Sequence, residues 1–145
     1  MILLTKSIIE TRAIGEKLAL YATPGDVFSL EGDLGCGKTE LVRGFVHALS
    51  PDAYVRSPTF SIVNTYETSK LPVYHFDFYR LADPFELDTI GFMEYVDSEG
   101  VCLIEWGNMF KDSLPCEAKT IRIEESGENE RILKSDFDFN LENVS

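Results

Sequence analysis

Gly32-Asp33-Leu34-Gly35-Cys36-Gly37-Lys38-Thr39 satisfies the spacing G-x-x-x-x-G-K-[ST]. Glycines in this pattern let consecutive backbone N–H groups turn inward around phosphate oxygens at a helix N-terminus, where the helix dipole also favours negative charge. Lys38 adds a cation for the outer phosphates and Thr39 a hydroxyl for magnesium, so the stretch reads as a P-loop. At average composition, chance produces such a match in roughly half a percent of chains this long. The flanks agree with it. Residues 26–31 (DVFSLE) form a short apolar run that ends at the first glycine and predicts a strand. Leu41, Phe45, Ala48 and Leu49 mark one face of a helix that stops before Pro51. Strand, glycine turn and helix in this order predict a single α/β P-loop domain. Its nucleotide-binding residues are Gly32, Asp33, Leu34, Gly35, Cys36, Gly37, Lys38, Thr39 and Glu40.

Working outward, Ser7-Ile8-Ile9-Glu10 has the spacing of a capping box, and Ile14, Leu18, Tyr21 and Ala22 recur at helical intervals until Pro24-Gly25. Residues 60–67 and 73–79 are rich in β-branched and aromatic side chains on either side of a five-residue connection, which predicts an antiparallel hairpin. Alternation in its second strand sets Tyr74, Phe76 and Phe78 on one face and His75, Asp77 and Tyr79 on the other. Asp83-Pro84-Phe85-Glu86 reads as a helix start, with the helix running to about Val96. Val101-Cys102-Leu103-Ile104 is continuously apolar and ends in Glu105, as a strand buried on both faces of a parallel sheet would. Residues 120–124 and 131–134 form a late hairpin around Ser126-Gly127-Glu128-Asn129. An acidic tail follows over 136–145, in which Phe137, Phe139 and Leu141 alternate. The expected architecture is a domain over 1–135 whose mixed, mostly parallel sheet is flanked by helices and carries antiparallel hairpins.

Composition narrows the function. The chain has 145 residues, 44% of them hydrophobic, enough for one domain with its own core. Its 13 Lys and Arg against 25 Asp and Glu leave a net charge of −12, which argues against a protein that grips a nucleic-acid backbone on its own. The longest apolar runs fall far short of the roughly 20 residues that span a bilayer, and no basic segment precedes Met1-Ile2-Leu3-Leu4. No membrane association is expected, and the cytosol is the expected compartment. Cys36, Cys102 and Cys116 are an odd set without zinc-ligand spacing and read as reduced thiols.

Glu105, at the end of the buried run, occupies the place where a P-loop protein puts the acid that holds magnesium-bound water or polarises the attacking water; the alternative is a solvated strand-end acid. Asp77 offers a second carboxylate near the metal or the water, or else an ion pair with Arg80. The catalytic candidates are therefore Lys38, Asp77 and Glu105, and the metal candidates Thr39 and Glu105. His47 and His75 read as hydrogen-bonded or surface residues, since no ligand set accompanies them. Trp106 either packs in the core or covers a nucleotide, and Ser57-Pro58-Thr59 is a switch-like loop or a turn into a strand.

An ordered set of blocks resembles the TsaE (YjeE) family, the ATPases of bacterial tRNA threonylcarbamoyladenosine biosynthesis. The blocks are residues 31–39, Arg43-Gly44-Phe45, Ser57-Pro58-Thr59-Phe60, His75-Phe76-Asp77-Phe78-Tyr79-Arg80-Leu81 and Ile104-Glu105-Trp106. The resemblance implies binding of ATP and magnesium, slow hydrolysis alone, and work with the partners TsaD and TsaB, which with TsaC modify tRNA beside the anticodon. Contact with tRNA is then indirect, through those partners. By matching position it implies that Thr39 and Glu105 form the magnesium site, that Asp77 is a second acid and that Ser57-Pro58-Thr59 is the switch loop. It also implies that Thr11 and its neighbours contact adenine. Arg131 falls at a late basic position. Two residues depart from the family pattern: Cys36, which places a thiol in the loop open to oxidation, and Gly107-Asn108, which replaces a Pro-acid pair. Two other classes fit a P-loop, a small-molecule kinase and a nucleotide-gated binding module. The chain lacks an arginine-rich lid segment for the first, and lacks the Asn-Lys-x-Asp motif that would favour GTP over ATP.

Overall fold

The computed structural model describes residues 1–33, 35–58 and 60–141. Leu34, Thr59 and residues 142–145, which belong to the expected phosphate loop, switch loop and tail, lie outside the described residues. The continuous apolar runs become central strands. β2 (Val27–Glu31) and β5 (Val101–Glu105) are buried at every position, because helices or coil cover both faces of the sheet there. The other strands are β1 (Ile2–Thr5), β3 (Val63–Tyr66), β4 (Val73–Asp77), β6 (Lys119–Gly127) and β7 (Glu130–Ser135). Their order is β1-β7-β6-β2-β5-β4-β3. The β6–β2, β2–β5 and β5–β4 joins are parallel, and the β6–β7, β1–β7 and β3–β4 joins antiparallel. Five strands therefore run one way, while β3 and β7 run back as hairpin partners. This is the mixed, mostly parallel sheet that the sequence predicts.

Helices α1 (Ile8–Tyr21) and α2 (Lys38–Leu49) cover one face, over a core that includes Leu18, Phe28, Leu30, Val42, Phe45 and Ile121. The short helices α3 (Phe85–Thr89) and α4 (Phe92–Val96) and a 3₁₀ segment (Gly107–Ser113) lie on the other face, over Val27, Phe76, Phe78, Phe92 and Ile104. Half of the capping box at α1 forms: the Glu10 N–H donates to Ser7 Oγ at 3.1 Å, while Glu10 Oε1 accepts the N–H of Lys6, one residue before the cap, at 3.2 Å.

Four features differ from the sequence expectations. The run at 2–5, too short to predict an element, pairs with β7 as the edge strand β1. The helix expected to run from Asp83 to Val96 is two helices, because Gly91 adopts a left-handed φ of 73° between them. Asp83 does cap the first, accepting the Phe85 N–H at 2.8 Å. The expected strand over 60–67 begins only at Val63, since Ile62 has a φ of 70° and bonds back to the Pro58 carbonyl. Residues 136–141 fold back onto the domain. The Phe137 ring stacks on Tyr21 at 5.5 Å, Phe139 is buried, and Lys17 Nζ donates to the Leu141 carbonyl. Among the described residues no helix is long and apolar enough to cross a membrane.

Helix α2 begins where the glycine turn ends, so its seating against α1 fixes the position of that turn. The two backbones touch. A Cβ on Gly44 would lie 1.9 Å from the Arg12 carbonyl oxygen, and one on Gly15 would lie 2.1 Å from that of Leu41. Gly44→Ala should therefore destabilise the protein by about 2 kcal/mol or more, because forcing the helices apart outweighs the roughly 1 kcal/mol of helix propensity gained. Thermal unfolding should show the loss as a midpoint lowered by roughly 5 °C or more.

Candidate functional site

β2 ends at Gly32, and the chain turns through three glycines with positive φ: Gly32 at 147°, Gly35 at 74° and Gly37 at 112°. Side chains rarely adopt the conformations at Gly35 and Gly37, so glycine is required there by backbone geometry. Gly37 is the N-cap of α2 and provides no side-chain cap, which leaves the first N–H groups of the helix for an anion. A cleft of about 470 Å³ opens over this turn.

Lys38 is nearly buried. Its Nζ donates to the carbonyls of Gly32 and Asp33 and lies 3.9 Å from the centre of the Trp106 ring. The lysine thus braces its own loop. Thr39 Oγ1 donates to Glu105, 3.1 Å from Oε1 and 3.0 Å from Oε2. The parallel register of β4 and β5 sets Asp77 opposite Glu105 and His75 opposite Leu103, so the two acids and the histidine share one sheet face. His75 is fully buried, with Nε2 2.6 Å from Glu105 Oε2. Asp77 accepts the Tyr79 N–H at 2.9 Å, which turns the chain after β4. Tyr79 then packs on Trp106 at 5.0 Å between ring centres.

The catalytic candidates Lys38, Asp77 and Glu105 all line the cleft, as do Thr11, Gly35, Cys36, Gly37, Thr39, Glu40, Ser57 and Trp106. Gly32 and Asp33 do not. They sit behind the loop and reach the site through the carbonyls that hold Lys38. The Glu40 carboxylate is held by Arg12 Nε at 2.6 Å and by Arg43, clamping α1 to α2. The Thr11 hydroxyl is likewise engaged, with Thr5 Oγ1 at 2.8 Å. His47 bonds the Ala53 carbonyl, away from the cleft.

Cys36 corrects an expectation. Its side chain is 1% exposed and belongs to the core, so the loop does not offer the thiol to oxidants. Burial pushes the thiol pKa up, against the opposing pull of Lys38. The other departure has a packing reason: a Cβ on Gly107 would lie 2.3 Å from Ser29 Oγ on β2. Arg131 is a late basic residue of the sequence. From β7 it donates Nε to the Cys36 carbonyl at 2.7 Å and lines the cleft beside the phosphate loop. A contact across 95 residues leaves no local signal in sequence.

The donor set suits magnesium. Thr39 and Glu105 supply only oxygens, and the described residues contain no group of three His, Cys, Asp or Glu side chains that could cage a metal. Magnesium retains waters and takes phosphate oxygens beside one or two protein ligands, so two oxygen donors next to an anion cradle are sufficient.

Residues 5–133 match the family described as "Threonylcarbamoyl adenosine biosynthesis protein TsaE". The tRNA threonylcarbamoyladenosine biosynthesis protein TsaE of Bacillus subtilis is 45% identical over 122 residues, spanning 84% of this chain and 76% of that protein. The protein of the same name from Rickettsia felis is 36% identical over 124 residues, 85% of this chain and 72% of the other. The crystal structure of Bacillus subtilis YdiB superposes with a TM-score of 0.76 at 38% identity, covering 92% of this chain and 82% of that one. The chain belongs to the TsaE family of tRNA threonylcarbamoyladenosine biosynthesis proteins.

Proposed function

We propose that the protein is a magnesium-dependent ATPase subunit of the tRNA N6-threonylcarbamoyladenosine machinery, and that ATP binding and hydrolysis drive a conformational step in a complex of TsaD and TsaB. The observation that carries this reading is the bond between Thr39 and Glu105. It joins the hydroxyl that follows the P-loop lysine to a carboxylate from the neighbouring strand, beside a helix start that lacks an acceptor of its own.

In this reading the N–H groups of the glycine turn and of the first turn of α2 hold the phosphate oxygens of ATP. Lys38 exchanges the Gly32 and Asp33 carbonyls for the outer phosphates. Thr39 and Glu105 would hold magnesium, which supplies positive charge against the charge on the phosphates. Asp77 orients the attacking water. Its oxygen bonds to the γ-phosphorus, the bond to the bridging oxygen breaks with its electron pair leaving on ADP, and the proton of the water passes to a carboxylate or to the phosphate formed. Arg131 steadies the loop through the Cys36 carbonyl, and Thr11 borders the place of the base. The protein acts in the cytosol, and with a charge of −12 it leaves direct tRNA contact to its partners.

Three measurements test the reading. Lys38→Ala, assayed as the folded variant, should weaken ATP binding at least about 30-fold in calorimetry, since a buried phosphate charge loses its main counter-charge. Undiminished binding would remove the loop from the site. Glu105→Gln should still bind nucleotide yet turn it over roughly 100-fold or more slowly, because the amide keeps the size of the carboxylate and loses its charge. In a reconstituted modification reaction, TsaD with TsaB should accelerate the slow ATPase of the isolated protein, and multiple-turnover tRNA modification should stall with Lys38→Ala. Sustained modification without the protein would refute the partner step and leave the ATP site standing.

A further inference from the structure

His75 is fully buried on β4, and its Nε2 lies 2.6 Å from Glu105 Oε2. Its other ring nitrogen, Nδ1, is buried and has no hydrogen-bond partner among the described residues. A proton on Nδ1 would leave a donor unsatisfied in the interior, which is costly. The arrangement therefore suits the imidazole protonated at Nε2, donating to the carboxylate. Thr39 Oγ1 approaches both Glu105 oxygens, whereas His75 approaches Oε2 alone. One carboxylate oxygen is thus tied down from inside the sheet, and among the described residues the other is bonded by the threonine.

We infer that His75 is a positioning residue that fixes the Glu105 carboxylate so that its Oε1, together with Thr39, is presented to the cation that accompanies ATP. The inference rests on the ATPase reading above. A glutamate side chain at a strand end has three rotatable bonds and loses their freedom when it binds a cation. A donor already bonded to one oxygen removes that freedom beforehand, as outer partners of metal-ligating carboxylates do. The strand register makes the donor available: His75 lies two residues before Asp77 on the same face, directly beside the strand that carries Glu105. The side chain of His75 thereby acts through Glu105 and never touches the substrate.

The test is Mn²⁺ binding, read by electron paramagnetic resonance in the presence of a non-hydrolysable ATP analogue, with analogue binding in EDTA measured in parallel. His75→Leu should weaken Mn²⁺ binding about 10- to 100-fold while metal-free analogue binding stays within about twofold of the parent. His75→Gln, which keeps an N–H donor near the position of Nε2, should recover most of the loss. In turnover assays the Leu variant should need a correspondingly higher magnesium concentration for half-maximal rate. A folded Leu variant that binds Mn²⁺ as tightly as the parent, or a Gln variant no better than Leu, overturns the inference. Should the Leu variant fail to fold, the ¹⁵N spectrum of the parent decides: the ring must carry its proton on Nε2, and a proton on Nδ1 alone overturns the inference. If the parent itself takes up no Mn²⁺ with the analogue, the ATPase reading fails and this inference with it. Loss of the His75 effect alone leaves that reading intact.

Discussion

Everything at the site hangs on the parallel pairing of β2 with β5. The pairing sets Leu30 beside Glu105 and brings the end of β2, where the glycine turn leaves the sheet, next to the end of β5, where the buried run yields its carboxylate. Parallel neighbours point their C-terminal ends the same way, so the loop after one strand and the acid ending the next are brought together without any dedicated contact. β4 joins β5 in the same sense and adds Asp77 and His75 on the same side. Were β5 antiparallel to β2, Glu105 would lie at the opposite edge of the sheet from Thr39.

The parts legible in the sequence are those whose cause is local. The Ser7 cap, the glycine-punctuated turn before α2 and the apolar run into Glu105 each need only neighbouring residues, and each stands in the structure where the pattern places it. The break at Gly91 is local too, but an isolated glycine inside a helical pattern is often tolerated, so its left-handed turn could not be read from spacing. Four residues at 2–5 are too few to establish a period, and their strand exists because β7 offers an edge. The tie from Arg12 to Glu40 and the reach of Arg131 into the loop span 28 and 95 positions. Those are tertiary facts, and nothing in the local pattern of side chains encodes them.

The charge distribution has a simple logic. A chain with a net charge of −12 binds a polyanion only where local cations outweigh the global field. The cleft gathers Lys38, Arg80 and Arg131. Of the acids there, Glu40 is neutralised by two arginines, and Glu105 is bonded by Thr39 and His75. Lys38 in turn is satisfied by two carbonyls and an indole face. These contacts already hold the loop in shape in the free chain.

The indole face under Lys38 has an optical side. Trp106 is the single tryptophan of the chain, and it faces the Lys38 ammonium at 3.9 Å and the Tyr79 ring at 5.0 Å. Indole emission responds to a nearby cation and to the polarity of its surroundings, and here no second fluorophore of its kind blurs the signal. The protein therefore carries its own reporter beside the loop that Lys38 braces, and changes in the cleft can be followed in the unlabelled chain by the colour and intensity of its ultraviolet emission.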